Sequence, residues 1–166
     1  MDTTAITPRN FRNPTLTGLV SESRVIVVAT PETPETRERE IHFKAPPDKS
    51  ALPYKQTLFR YRVNEVLLGE IPSGTIIEVV EANTQMRQRE SYNYDVCGMT
   101  MSIAWRRYVP QYQPAENTPH ILFLRGNAGN KDSDLEFIAQ GGLEGIQARE
   151  EVVRLIAQRF GNFSRT

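Results

Sequence analysis

Residues 57–68 (TLFRYRVNEVLL) constrain the fold of this chain more than any other segment. Thr57, Phe59, Tyr61 and Val63 recur at every second position, and Leu58, Arg60, Arg62 and Asn64 fill the positions between. An extended backbone puts these two sets on opposite faces, whereas a helix would mix them. The alternation breaks at Glu65-Val66-Leu67-Leu68, which predicts a strand that bulges or bends near Glu65. Gly69-Glu70-Ile71-Pro72-Ser73-Gly74 has the chemistry of a turn. Residues 75–82 (TIIEVVEA) form a second β-branched run, so the two segments are expected to pair as an antiparallel hairpin.

Other segments extend the β pattern. Residues 16–30 hold two apolar clusters separated by Ser21-Glu22-Ser23-Arg24, read as one long bent strand or two consecutive strands, with Gly18 marking a bulge or a close backbone approach. Residues 120–125 (HILFLR) read as a compact buried strand. Residues 135–140 are its hairpin partner across a polar turn, ended by Gly141-Gly142. Residues 31–53 contain five prolines and a dense run of mixed charge, which predicts a long loop with at most a brief edge pairing near Glu38 to Phe43. Residues 83–118 form a second long loop, with room for a short strand between Val96 and Trp105. Residues 1–14, punctuated by Pro8 and Pro14, are expected as a loose arm. Only residues 150–160 (EEVVRLIAQRF) switch to helical periodicity. Val152, Leu155, Ile156 and Phe160 fall on one face, acidic residues sit in the first turn, Arg159 sits in the last, and Gly161 follows as a stop.

Strands that do not alternate with helices exclude a parallel α/β sheet. The expectation is a single mainly β domain over residues 1–166: an OB-like antiparallel barrel of five to six strands over residues 15–146, followed by a C-terminal α-helix. At 166 residues the chain buries enough surface to need neither disulfide nor metal. Cys97 is the only cysteine, read as a small buried apolar side chain. Residues 1–10 lack the basic and apolar regions of a signal peptide, and no stretch approaches the ~18 apolar residues of a membrane span. The chain is expected to be soluble, and either cytoplasmic or exported after removal of a signal peptide.

Three segments together carry a resemblance. The opening segment 16–29, the run Phe59-Arg60-Tyr61-Arg62-Val63-Asn64-Glu65-Val66-Leu67-Leu68-Gly69 with Pro72-Ser73-Gly74, and His120-Ile121-Leu122-Phe123-Leu124 resemble bacterial OB-like barrel domains similar to the tissue-inhibitor-of-metalloproteinases and netrin-like modules. The resemblance covers residues ~15–146 and implies a barrel. It does not carry over protease inhibition. That mechanism needs an N-terminal cysteine to chelate zinc, and this chain opens Met1-Asp2-Thr3 with its one cysteine at position 97.

Motifs for chemistry are sparse. His42 and His120 are the only histidines, and Glu40 with His42 makes two ligands where zinc needs three or four. Asn130, Asp132 and Asp134 imitate the start of an EF-hand loop, but Leu135 and Gly141 stand where Gly and Glu are required. Gly126-Asn127-Ala128-Gly129 lacks the Lys-Ser/Thr of a phosphate loop. The reading is therefore a protein without catalytic residues, cofactor or metal. The stretch 86–112 stands out instead. Arg87, Arg89, Arg106 and Arg107 interleave there with Tyr92, Tyr94, Trp105, Tyr108 and Tyr112. Aromatic residues and arginine are what protein-binding hot spots use, and they are also what OB surfaces use to stack bases and follow phosphates. Packing of the barrel end is the plain alternative. Trp105, Arg106, Arg107 and Tyr108 are the chosen binding anchors, with Tyr112, Tyr92 and Tyr94 around them. Twenty basic against twenty acidic side chains leave no net charge, which favours a protein partner over single-stranded nucleic acid. An enzyme with an unrecognised site is the remaining alternative.

Overall fold

The computed structural model describes residues 13–41, 54–82, 107–126 and 135–161. In chain order these form α1 (Leu16–Glu22), β1 (Val25–Ile41), β2 (Tyr54–Leu68), β3 (Ile76–Val80), β4 (His120–Arg125), β5 (Leu135–Phe137) and β6 (Leu143–Gly145). A 3₁₀ turn at Ile146–Ala148 then leads into α2 (Arg149–Gly161).

The strands make one mixed sheet in the order β1-β2-β3-β5-β4-β6, and a further β1–β4 pairing closes five of them into a ring. This is the mainly β, barrel-like architecture with a C-terminal helix that the sequence predicts, with one correction to the antiparallel expectation. β3 and β5 run parallel, with Val79 opposite Leu135 and Val80 opposite Glu136. A ring with an odd number of strands cannot alternate direction all the way round, so one parallel pair is a geometric necessity. One edge of β4 pairs with β1, from Val25 opposite Leu124 to Ala29 opposite His120. Its other edge is shared, Leu124 and Arg125 pairing with β5 and His120 to Leu122 with β6.

Strand alternation divides the core into two layers. Val25, Val27 and Ala29 of β1 meet Leu122 and Leu124 of β4 inside the ring, together with Tyr61, Val63, Ile77, Val79 and Phe137. Ile26, Val28, Ile121 and Phe123 point outward beneath the helices, against Leu16, Leu19 and Val20 of α1 and Val152 and Leu155 of α2. On β2, Phe59, Tyr61 and Val63 of the face that the sequence groups together join the interior layer. Leu58 and Gln56, at the intervening positions, are nevertheless buried too. The expected irregularity near Glu65 is present: β2 slips by one residue relative to β1 between Val27 and Ile26 and again between Ala29 and Val28.

Two expectations are corrected. Residues 16–22 form a helix rather than a strand. Leu16, Leu19 and Val20 lie at i, i+3 and i+4 and are its buried residues, and Thr15 caps it by accepting the Gly18 N–H at 3.1 Å. Gly18 is thus a helical residue, not a bulge. Residues 31–41 continue β1 instead of forming a loop, pairing with β2 as far as Ile41 opposite Tyr54. Its prolines are tolerated because beyond Ala29 this strand has a partner on one side only among the described residues, and because Pro34 falls in a wide bulge. Between Pro31 and Thr36 β1 advances five residues while β2 advances two, from Tyr61 to Phe59. The charge run fits a two-sided polar ribbon: Arg37 forks onto Glu78 at 2.7 and 2.9 Å, and Arg39 donates to Gln56 at 2.7 Å. The rest of the predicted loop, 42–53, lies outside the described residues.

α2 matches the predicted helix to within a residue at each end. Arg149 at its start forks onto Glu65 at the β2 irregularity at 2.8 and 2.7 Å. Near its end Arg159 donates to the Val20 and Ser23 carbonyls, both at 2.7 Å, satisfying acceptors that the end of α1 leaves open. Phe160, the last residue of the predicted apolar stripe, is exposed.

Candidate functional site

Of the predicted binding residues, Trp105, Arg106, Tyr92 and Tyr94 lie outside the described residues, as do Cys97, His42 and the polar turn 127–134. Arg107, Tyr108 and Tyr112 are described, and the structure separates them. Arg107 is exposed, its backbone N–H donating to Asn13 Oδ1 at 3.0 Å, and it bridges to Gln140. Tyr108 is 7% exposed and packs with the layer beneath the helices, so it serves the core and not the surface. Val109 next to it is 83% exposed, and Tyr112 is 45% exposed.

A residue that the sequence reading missed holds this segment in place. Glu144 of β6 is fully buried, and its carboxylate accepts three hydrogen bonds. These come from the Tyr108 hydroxyl, from the Gln111 backbone N–H at 2.8 Å and from the Tyr112 backbone N–H at 2.9 Å. Burial pushes the Tyr108 phenol well above its usual range, and the hydrogen bond to the Glu144 carboxylate pushes it further. Tyr108 N–H donates to Gln140 O at 2.8 Å, and Gly145 N–H donates to Tyr112 O at 2.8 Å. Residues 108 and 112 are therefore fixed at both ends, and the side chain of Val109 stands out between them. The available signal is a single acidic residue in the otherwise uncharged run Phe137–Gln147 (FIAQGGLEGIQ).

A concave feature lies elsewhere on the sheet, between β1, β2 and the segment before β4. A cavity of about 180 Å³ is lined by Pro31, Glu35, Arg60 and Tyr61 on one side and by residues 114–117 and His120 on the other. His120 lies two residues before Leu122 on β4, so it faces inward, with its ring edge-on to Tyr61 at 5.9 Å between centroids. The β1 bulge forms the cavity wall. It is pinned by Arg60 donating to Pro34 O at 3.0 Å and by Arg62 forked onto Glu32, both contacts at 3.1 Å. His120 Nε2 lies 3.3 Å from Ala115 O, which can only accept, so Nε2 carries the hydrogen. In neutral imidazole Nδ1 is then an acceptor, and that atom is buried without a partner among the described residues. Burial holds the His120 pKa below its ordinary 6.5, against the opposing influence of the Ala115 carbonyl and the Glu35 carboxylate. Burial, followed by the charges of Glu35 and Glu81, pushes Tyr61 up to about 12.

No protein-family model matches the chain, and no curated protein is similar to it. Among the described residues, no group of three His, Cys, Asp or Glu side chains is placed to hold a metal ion, and no helix is long and apolar enough to cross a membrane.

Proposed function

We propose that this chain is a non-enzymatic binding module that meets a protein partner through the segment around Val109 and Tyr112. The observation that carries this reading is the Glu144 clamp. It fixes the backbone on both sides of a largely exposed aliphatic side chain and at a half-exposed tyrosine. Scattered surface hydrophobics are ordinary in themselves. Preordered ones cost less entropy to bury, and tyrosine is among the residues that dominate binding energy. Arg107 is exposed on the same segment, and Trp105 and Arg106 immediately precede it in sequence.

Charge favours protein over single-stranded nucleic acid. On the outer face of β1, β2 and β3, Arg37 is already held by Glu78 and Arg62 by Glu32, so these guanidiniums are matched before any phosphate arrives.

The test is the affinity of the purified partner, recovered from host extract, for wild type and for Val109→Asp and Tyr112→Ala. Loss of a hot-spot side chain is expected to weaken binding by about 30-fold, or roughly 2 kcal/mol. Unchanged affinity in both variants refutes the assignment of the surface. Recovery of nucleic acid with a steep salt dependence refutes the assignment of the partner class.

A further inference from the structure

We propose that protonation of His120 releases residues 113–119 from the sheet, which makes this ring a pH-sensitive latch on the stretch of chain between Tyr112 and β4. The latch is a device of its own and stands or falls without the Val109–Tyr112 partner surface.

The tether is a single side chain. Glu144 and Gly145 of β6 hold Tyr112 at its N–H and its carbonyl, and β4 begins at His120, opposite Gly145. Between these anchors Gln113, Ala115, Glu116 and Asn117 are exposed. Thr118 closes a turn onto Ala115 O through its N–H at 3.3 Å and its hydroxyl at 2.6 Å, with Asn117 at φ 59, so those bonds stay inside the segment. His120 Nε2–H, 3.3 Å from the same oxygen, makes the one hydrogen bond that joins the turn to the sheet among the described residues. An exposed stretch held by so little opens at low cost while its neighbours stay folded.

His120 holds the turn only while it is neutral. Nδ1 is closed to solvent and has no partner among the described residues, which a neutral acceptor tolerates better than a charged donor does. Protonation puts an N–H and a positive charge where nothing accepts them. Swinging the ring out to water relieves that cost and breaks the bond to Ala115. The surrounding charges tune the balance. Glu35 of β1 and Glu116 on the segment favour the cation, Arg60 of β2 opposes it, and the Tyr61 phenol meets the ring edge-on and stays neutral. β6 presents Gly145 to this face, since Glu144 lies with Ile121 on the other. Burial prevails and depresses the pKa of the closed form, so acid favours the open one.

The experiment is an NMR titration of the isotopically labelled full chain from about pH 8 to about pH 4.5, following the His120 ring, the amides of residues 112, 115–118 and 121–124, and the heteronuclear NOE of each. The 115–118 amides are expected to follow the His120 ring along one curve with its midpoint below 6.5, and to lose rigidity on the acid side. Tyr112 and residues 121–124 hold their signals. Glu35→Gln changes an exposed carboxylate and should lower the midpoint further, because it removes a charge that favours the imidazolium. His120→Gln removes the titrating ring and should abolish the pH response of the turn. A ring that titrates while 115–118 stay rigid overturns the proposal. So does a ring that stays neutral until the whole fold unfolds, a response that persists in His120→Gln, or a midpoint that Glu35→Gln leaves in place or raises.

Discussion

Tyr108 and Glu144, 36 residues apart in sequence, share a buried hydrogen bond that fastens the 107–112 segment to β6. The carboxylate takes this phenol and two backbone N–H groups, so removing it deprives all three donors of their acceptor at once. Glu144→Ala is expected to destabilise the fold by about 3 kcal/mol or more, because it strands buried donors as well as losing bonds. Tyr108→Phe keeps the ring and two of the three bonds, and should cost about 1–3 kcal/mol. Urea unfolding of both variants checks the order. A Glu144→Ala protein as stable as wild type would show that the clamp is not needed.

Two glycines with positive φ separate conformational preference from crowding. Gly74 has φ +85, and a methyl group added there would meet nothing within 4 Å among the described residues. Gly141 has φ +70, and a methyl group added there would stand 2.7 Å from the Tyr108 carbonyl oxygen. Gly74→Ala is expected to cost about 1–2 kcal/mol from the left-handed backbone alone. Gly141→Ala adds a clash with a fixed carbonyl and should cost about 3 kcal/mol or more. Equal losses in thermal unfolding would contradict the close approach of Gly141 to residue 108.

His120 makes stability depend on pH in a defined direction. Its pKa is depressed in the folded chain relative to the ordinary 6.5, so between these two values the unfolded chain binds more protons. Stability from this group is therefore fully present above pH 6.5 and is lost as pH falls towards the depressed folded value. His120→Phe should flatten that slope without changing the behaviour above it. A slope that persists unchanged in the variant would assign it to other groups.

The sequence conveys the barrel through local pattern, and its limits are also local. β4 matches residue for residue, because HILFLR is bounded by polar turns and buried on both faces. α2 is legible from Val152 and Leu155 at helical spacing. α1 reads as a strand when β-branched composition outweighs the i, i+3, i+4 spacing of Leu16, Leu19 and Val20, which the Thr15 cap supports. Residues 31–41 read as a loop because prolines argue against a central strand. Only the tertiary fold supplies the one-sided pairing and the bulge at Pro34 that receive them. In the candidate site, Tyr112 and Arg107 are legible as surface residues, but the inward turn of Tyr108 is not. It depends on Glu144 and Gln140, which reach it only through tertiary pairing. The His120 cavity is invisible in the sequence for the same reason, since its walls come from β1, β2 and the segment before β4.

Val109→Asp and Tyr112→Ala change exposed side chains, so each should alter stability by no more than about 0.5 kcal/mol. Loss of binding with intact unfolding curves then reports the surface itself. Unfolding at lower denaturant in both would mean that these residues support the fold.

The most direct test of the binding surface is photo-crosslinking in the native host, with a benzophenone side chain at position 109 in one sample and at position 153, exposed on α2, in another. A discrete protein adduct from position 109 and none from position 153 is the predicted result. An adduct from position 153 alone, or none from either position, would contradict the claim that this chain meets its partner through the clamped 107–112 segment.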